Sequence, residues 1–481
     1  MAISSPGVGS GLDVKSIVTQ LVNLEKQPIV QLQTKGSTLQ TKLSAYASIK
    51  SSLATLDDAS TAMMDSTTWN ARTFSSSNST AITGSATSTA LASSFSVQVN
   101  ALAQVQSLKS GAVTSGAALG SGGRLDIQVG QWSGTTFNGG SNSVLSVSVA
   151  STDTLSDIAG KINNAGAGVS AVVVTSGGQD RLLIRGNSTG DASGFQIKTY
   201  DEASAEITDG TTGVGQLAYA YNAAAAVPAF YGMTQTQAAQ NSSVSIDGIA
   251  VSSATNTVSD AVPGVTLNLQ TTTTTAAQVT VGLDKELIKT KIETFRTAYN
   301  SIRSKLADDL KYDPGSKKGG PLQGDSTAIG LQNMLRDLAA SAGPSGSTLG
   351  RLSDLGLEMQ RDGTLSTNTT KLDAALQNPS NVQTFFTYSS GTASTDGIAR
   401  RLRDFARGAN AIDGNVTGRN TALQAAITRN TKDIDNMNAR VLRTEARLYA
   451  QYSRLDANIG SINSLGNFVT QQIAQWNRTS G

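Results

Sequence analysis

"ITRNTKDIDNMNARVLRTEARLYAQYSRLDANIGSINSLGNFV", residues Ile427 to Val469, places apolar side chains seven apart from end to end: Ile427, Ile434, Val441, Leu448, Leu455, Ile462 and Val469. The row three residues further on reads Asn430, Met437, Thr444, Gln451, Asn458, Leu465 and Gln472. A seam with one apolar and one mostly polar row holds a partner less firmly than two apolar rows, and its polar positions restrict register and partner choice. The pattern predicts a long helix that completes its packing conditionally, inside an assembly, with Asn430, Gln451, Asn458 and Gln472 as the register positions. Between Arg419 and Arg478 the only glycines are Gly460 and Gly466, so a continuous helix would run on the order of 90 Å. A plain intramolecular hairpin with the N-terminal helix is the simpler alternative, and the two readings are compatible.

The other end of the chain matches it. From Leu12 to about Asp65 the pattern is again helical, with Leu32, Leu39, Tyr46 and Leu53 in one row and Ile49, Leu56 and Met63 in a second. Gly36 is the expected weak point. Ahead of this helix, "MAISSPGVGSG" has no basic residue before Lys15 and no apolar core, so it does not read as a cleavable secretory signal.

Between the two helical ends the composition changes sharply. From Ser75 to Ala150 the only charged residues are Lys109, Arg124 and Asp126, and apolar residues alternate in "FSVQVNALAQVQSL" (Phe95 to Leu108) and "LSVSV" (Leu145 to Val149), the mark of half-buried strands. Strand-like runs continue through "VSAVVV" (Val169 to Val174), "RLLI" (Arg181 to Ile184), "SVSIDGIAV" (Ser243 to Val251) and "GVTLNL" (Gly264 to Leu269). "DTLSDIAGKINNAG" (Asp153 to Gly166) is the exception, a short helix with a Gly stop. Helix returns in "DKELIKTKIETFRTAYNSIRSKLADDL" (Asp284 to Leu310) and in "AIGLQNMLRDLAA" (Ala328 to Ala340). The fold class expected is therefore multidomain α+β: terminal helices forming a coiled-coil leg (1–43 with 420–481), a helix-rich middle domain (44–74 with 283–419), an inner β-rich head (75–108 with 238–282) and an outer α+β head (109–237).

Composition closes off much chemistry. The chain has no Cys and no His, which removes disulfides, thiolate nucleophiles, the usual triads and most zinc sites. A formal charge of +2 gives no case for a nucleic-acid partner, and no stretch approaches the length of apolar chain that a bilayer span requires. Asp308 and Asp309 are neighbours that point apart on a helix, expected as a solvated face. "GSGGRLDIQVG" (Gly120 to Gly130) lacks the spacing and the Lys of a phosphate cradle and is expected to be turns. No catalytic residue, metal or cofactor is expected.

Several segments in order resemble the flagellar filament cap family, also called hook-associated protein 2. They are "SPGVGSGLDVKSIVTQLVNLEKQPI" (Ser5 to Ile29), the first head strand and following segment over Phe95 to Leu108, "DTLSDIAGKINNAGAGVSAVVVTSGGQDRLLIRGNSTG" (Asp153 to Gly190), "GPLQGDSTAIGLQNMLRDL" (Gly320 to Leu338), "LSDLGLEMQRDGTLSTNTTKLDAALQNPSNVQTFF" (Leu352 to Phe386) and "RLYAQYSRLDANIGSINSLGNFVTQQI" (Arg447 to Ile473). The resemblance implies export through the flagellar channel with an uncleaved N-terminal signal and an extracellular place at the filament tip. It implies a homo-oligomeric ring of five or six copies that guides flagellin into the filament. It also implies hook–filament junction proteins as neighbours, and an export chaperone on the C-terminal helix around the Ile427 to Val469 row. A tip adhesin whose Ser/Thr-rich head binds glycans is a second function class. An enzymatic reading would need paired carboxylates in a cleft, for which Asp126, Asp180, Asp247 and Asp260 are the residues to substitute.

Overall fold

A computed structural model describes residues 13–225, 228–315, 317–392 and 394–479. The stretch Met1 to Gly11, read above as an export segment, lies outside the described residues. The chain divides into two compact units, Met1–Trp69 with Lys285–Gly481, and Asn70–Asp284. The helices in chain order are α1 (Val14–Glu25), α2 (Gln27–Met64), α3 (Ser66–Asn70), α4 (Leu155–Ala165), α5 (Lys285–Leu310), α6 (Ser326–Ala340), α7 (Leu352–Leu355), α8 (Thr369–Ala375), α9 (Pro379–Thr387), α10 (Ile398–Asn410) and α11 (Asn415–Thr479).

In the first unit the break in the N-terminal helix falls at Lys26, with Pro28 in the first turn of α2. Proline lacks a donor and is tolerated only where no intrahelical bond is needed, so it marks a helix start. Gly36, expected as the weak point, lies inside a continuous α2. Beyond it α2 buries Tyr46, Ile49, Leu53, Leu56, Ala59 and Met63 at three- and four-residue intervals. They pack with the matching stripe of α5, from Ile288 through Phe295 and Tyr299 to Leu306, and with α10. Phe386 of α9 closes this core against the rings of Trp69, Phe295 and Phe385.

One charged pair differs from expectation. Asp308 is exposed, but the Asp309 side chain is only 4% exposed and pairs with Lys305 at 2.8 Å. It continues the Ile302, Leu306 stripe at helical spacing, so it faces inward, and the lysine one turn back compensates its charge.

Among its described residues the second unit holds two cores. One gathers Ile82, Val97, Val99, Val244, Leu267 and Val279, from a five-stranded antiparallel sheet and a three-stranded one. Here "SVSIDGIAV" is a hairpin: Ser242–Ile246 and Ile249–Ser253 are joined at Asp247 and Gly248, with φ of 47° and 85°, as a two-residue type I′ connection requires. The other core gathers Leu125, Ile127, Ile158, Ile162, Ile184 and Phe195. "GSGGRLDIQVG", expected to be turns, is mostly the strand Gly123–Ser133, because Leu125 and Ile127 alternate inward against Ile197 and its neighbours. Helix α4 forms as its sequence specifies, with a Thr154/Asp157 capping box and a left-handed Gly166 after its last turn.

Candidate functional site: the paired terminal helices

The long C-terminal helix is 65 residues, about 98 Å at the standard rise, and it packs along both N-terminal helices. Helix α1 offers Val14, Val18 and Val22, a four-residue repeat that puts one methyl-rich stripe on one side. These three and Ile29 are buried with Val441 and packed against half-buried Ile434, Met437, Leu448, Tyr449 and Tyr452. Fully burying a valine contributes about 1.5–3 kcal/mol, so a three-valine stripe gives a short helix reason to stay docked. Glu25 and Arg440 make an antiparallel ion pair at 3.6 Å. It is exposed enough that its contribution is small.

Asn430 is 3% exposed and donates Nδ2 to the Leu32 carbonyl at 2.9 Å. Gly36 makes room for it: a Cβ there would lie 2.9 Å from Asn430 Nδ2. Asn430 Oδ1 is buried without a hydrogen-bond partner, a desolvation cost of about 1–3 kcal/mol that weakens the pairing while tying it to one register.

The residues singled out from the pattern fall in three places. Leu32, Leu39, Ile427, Ile434 and Leu448 are half-buried in the helix pair, with Val441 and Asn430 fully buried. Tyr46 and Leu53 are fully buried in the core that α2 shares with α5 and α10. Leu455, Ile462 and Val469 are 44%, 67% and 47% exposed, and Gln451, Asn458 and Gln472 are exposed as well. The covered stripe moves from Leu448 to Tyr452 and Asp456. A straight helix drifts by about 20° per heptad against a strict seven-residue row, which carries Leu455 out of the seam.

A polar node lies where the pair enters the helical body. Asp325 caps α6 through the amides of Thr327 and Ala328, accepts the Tyr46 hydroxyl at 2.6 Å and pairs with Arg419 of α11 at 2.8 Å. Burial pushes the Asp325 carboxyl up, but the Tyr46 hydroxyl, Arg419 and the Ala328 amide together hold it below its ordinary range. Burial, then the Asp325 hydrogen bond, push the Tyr46 hydroxyl up. Neither this node nor the α1 stripe was singled out from the sequence. The four-residue valine repeat and the Asp-Ser-Thr helix start were available signals, whereas nothing in the sequence joins Asp325 to Tyr46 and Arg419.

Three of the four acidic residues raised for catalysis have local hydrogen-bond partners. Asp180 is held low by Thr175 and the Gly116 amide, and Asp247 by the amide and hydroxyl of Ser96. Asp126 accepts from Ser146 and Arg124, and Asp260 is exposed. Among the described residues no acidic cluster has the makings of a metal site, and no helix is long and apolar enough to cross a membrane.

These features define a multidomain α+β protein whose two chain ends pair as one helical leg. Three family profiles match along it: Flagellar hook-associated protein 2 N-terminus over 10–106, Flagellin hook IN motif over 136–188, and Flagellar hook-associated protein 2 C-terminus over 239–464. The Flagellar hook-associated protein 2 of Escherichia coli (strain K12) is 30% identical over 486 residues, 98% of each chain. The B-type flagellar hook-associated protein 2 of Pseudomonas aeruginosa is 29% identical over 493 residues, 100% of this chain and 99% of that relative. The crystal structure of the flagellar cap protein FliD D1-D2-D3 domains from Escherichia coli superimposes with a TM-score of 0.57 at 28% identity, covering 79% of this chain and 99% of that one. The chain belongs to the flagellar hook-associated protein 2 family, a family of structural flagellar cap proteins.

Proposed function

We propose that the protein caps the distal tip of the bacterial flagellar filament. It is exported without a cleaved signal and forms a ring of five or six copies. The ring retains exported flagellin and promotes its folding and insertion, with hook–filament junction proteins as its neighbours before the filament grows. One observation carries the mechanism: the apolar row of α11 is covered by the chain's own helices as far as Leu448, then exposed at Leu455, Ile462 and Val469. An exposed row on a long helix is a docking stripe that must be shielded until it meets its partner. In the cytoplasm an export chaperone supplies the shield, and at the tip the filament does. The assembly rows are Leu32, Leu39, Tyr46 and Leu53 with Ile427 to Val469. Asn430, Gln451, Asn458 and Gln472 keep the leg from zipping irreversibly, so that it releases as each subunit adds. We place the leg, middle, inner head and outer head at the boundaries read from the sequence, which is supported by two separate apolar cores within Asn70–Asp284.

Deletion of the gene in the parent bacterium tests the reading directly. Flagellin should accumulate in the medium as monomer, and the full-length chain should restore filaments. Filaments of normal length without the protein would overturn it.

A further inference from the structure

The strand Val169–Ser176 is an edge. Its whole length pairs with Gln179–Gly186, and among the described residues no strand pairs with its other side. The neighbouring ladder shows which backbone groups face out. The Leu182 carbonyl accepts from Ser110, and the Gly186 amide donates to Gln106, both away from the edge. Antiparallel alternation then leaves Ala171, Val173 and Thr175 pointing outward. Ala171 is clamped, because Asn163 of α4 bonds both its amide and its carbonyl at 2.8 Å, as a paired strand would. No such clamp reaches Val173 or Thr175 among the described residues.

The outer face of this edge has a distinct composition. Val172 and Val174 are 55% and 46% exposed. Leu183 lies opposite Val172, Arg181 opposite Val174, Arg185 opposite Ser170, and Lys109 opposite Leu183 on the next strand. Three aliphatic side chains are thus rimmed by three cations, with no carboxylate at these positions. Exposed edges are ordinarily blunted by lysine, proline or a bulge, and "VSAVVVTS" contains no proline or charge. An aliphatic centre with an arginine rim is the composition of a protein contact.

Charge identifies the occupant. The same domain carries "DEASAEITD" (Asp201 to Asp209), four acidic residues with no basic one, and Glu202 and Asp209 are exposed. Glu206 is engaged with Lys198 and Tyr231, and Arg181 with the Ser110 carbonyl. We infer that the Val172, Val174, Leu183 face with its rim of Arg181, Arg185 and Lys109 docks the acidic 201–209 loop of a second copy of this chain. The two patches differ, so the contact is head-to-tail, the kind that closes into a ring by rotation. The inference rests on the ring reading proposed above.

The chain has no cysteine, which makes cross-linking clean. The full-length double variant V174C/A203C, assembled and then oxidised, should give a covalent ladder up to the ring size, and neither single variant should. A ladder from V174C alone would mean symmetric strand pairing between copies and would overturn the assignment, as would no ladder from an assembled sample. Light scattering gives the second arm: R181E/R185E should weaken association by about ten-fold or more, and adding E202K/D209K should recover part of it. If R181E/R185E assembles as the parent does, this contact is wrong and the ring stands. If the parent is monomeric at every concentration and at filament ends, the ring reading falls, and this one with it.

Discussion

Asn430 reaches from the C-terminal helix to the backbone carbonyl of Leu32 on the N-terminal one, 2.9 Å away and 398 residues distant in sequence. It does so over Gly36, whose missing side chain leaves the space. A polar side chain in a notch costs stability and sets register.

Replacing Asn430 with Leu should therefore strengthen the helix pair and harm function. Removing the unpartnered Oδ1 relieves about 1–3 kcal/mol of desolvation, which slower amide exchange across residues 27–43 would register. The cap activity of such a variant, read as flagellin retained on filaments, should fall. Unchanged exchange would show that the notch carries no cost.

Gly36→Leu acts on the same notch with the opposite sign. The added side chain has to displace Asn430, an overpacking cost of about 1–3 kcal/mol, against which the helix-propensity gain over glycine is about 1 kcal/mol. The leg should become protease-sensitive at Lys35 and Lys42 while the helical body keeps its melting temperature.

Val18→Ala tests the docking of α1. Val18 is fully buried among Val14, Val22 and Val441, and loss of its methyl groups costs about 2 kcal/mol. Trypsin should then cut at Lys15 and Lys26 well below the unfolding midpoint of the body.

Asp325→Asn should make stability less dependent on acid. The folded carboxyl is held below its ordinary range, so its contribution is fully present above the unfolded value near 3.9 and is lost as pH falls through the lower folded value. Arg419 is 38% exposed, which reduces the usual cost of breaking a buried pair to about 2 kcal/mol. Urea unfolding should show that gap between parent and variant at pH 7 and a shrinking gap below pH 4.

Ile462→Ser with Val469→Ser should leave the free protein's stability within about 0.5 kcal/mol, because both side chains are exposed. Filament growth should nonetheless fail. Equal loss of stability and function would mean that the row is part of the monomer's own core.

The sequence by itself determined the periodic parts: the helical ends, the alternating strands that begin near Phe95, Leu145, Val169, Arg181, Ser243 and Gly264, the α4 helix with its Gly166 stop, and the family. Each is written in local spacing, since a helix or strand presents its apolar face at a fixed interval whatever it packs against. Only the tertiary structure decided which stretch of the α11 row is covered, that Asp309 faces inward, that Gly36 is a notch rather than a break, and that Asp325 joins Tyr46 to Arg419. These depend on which surfaces meet across hundreds of residues, and on a helix drifting slowly out of its seven-residue row. Neither is encoded in the neighbourhood of any one residue.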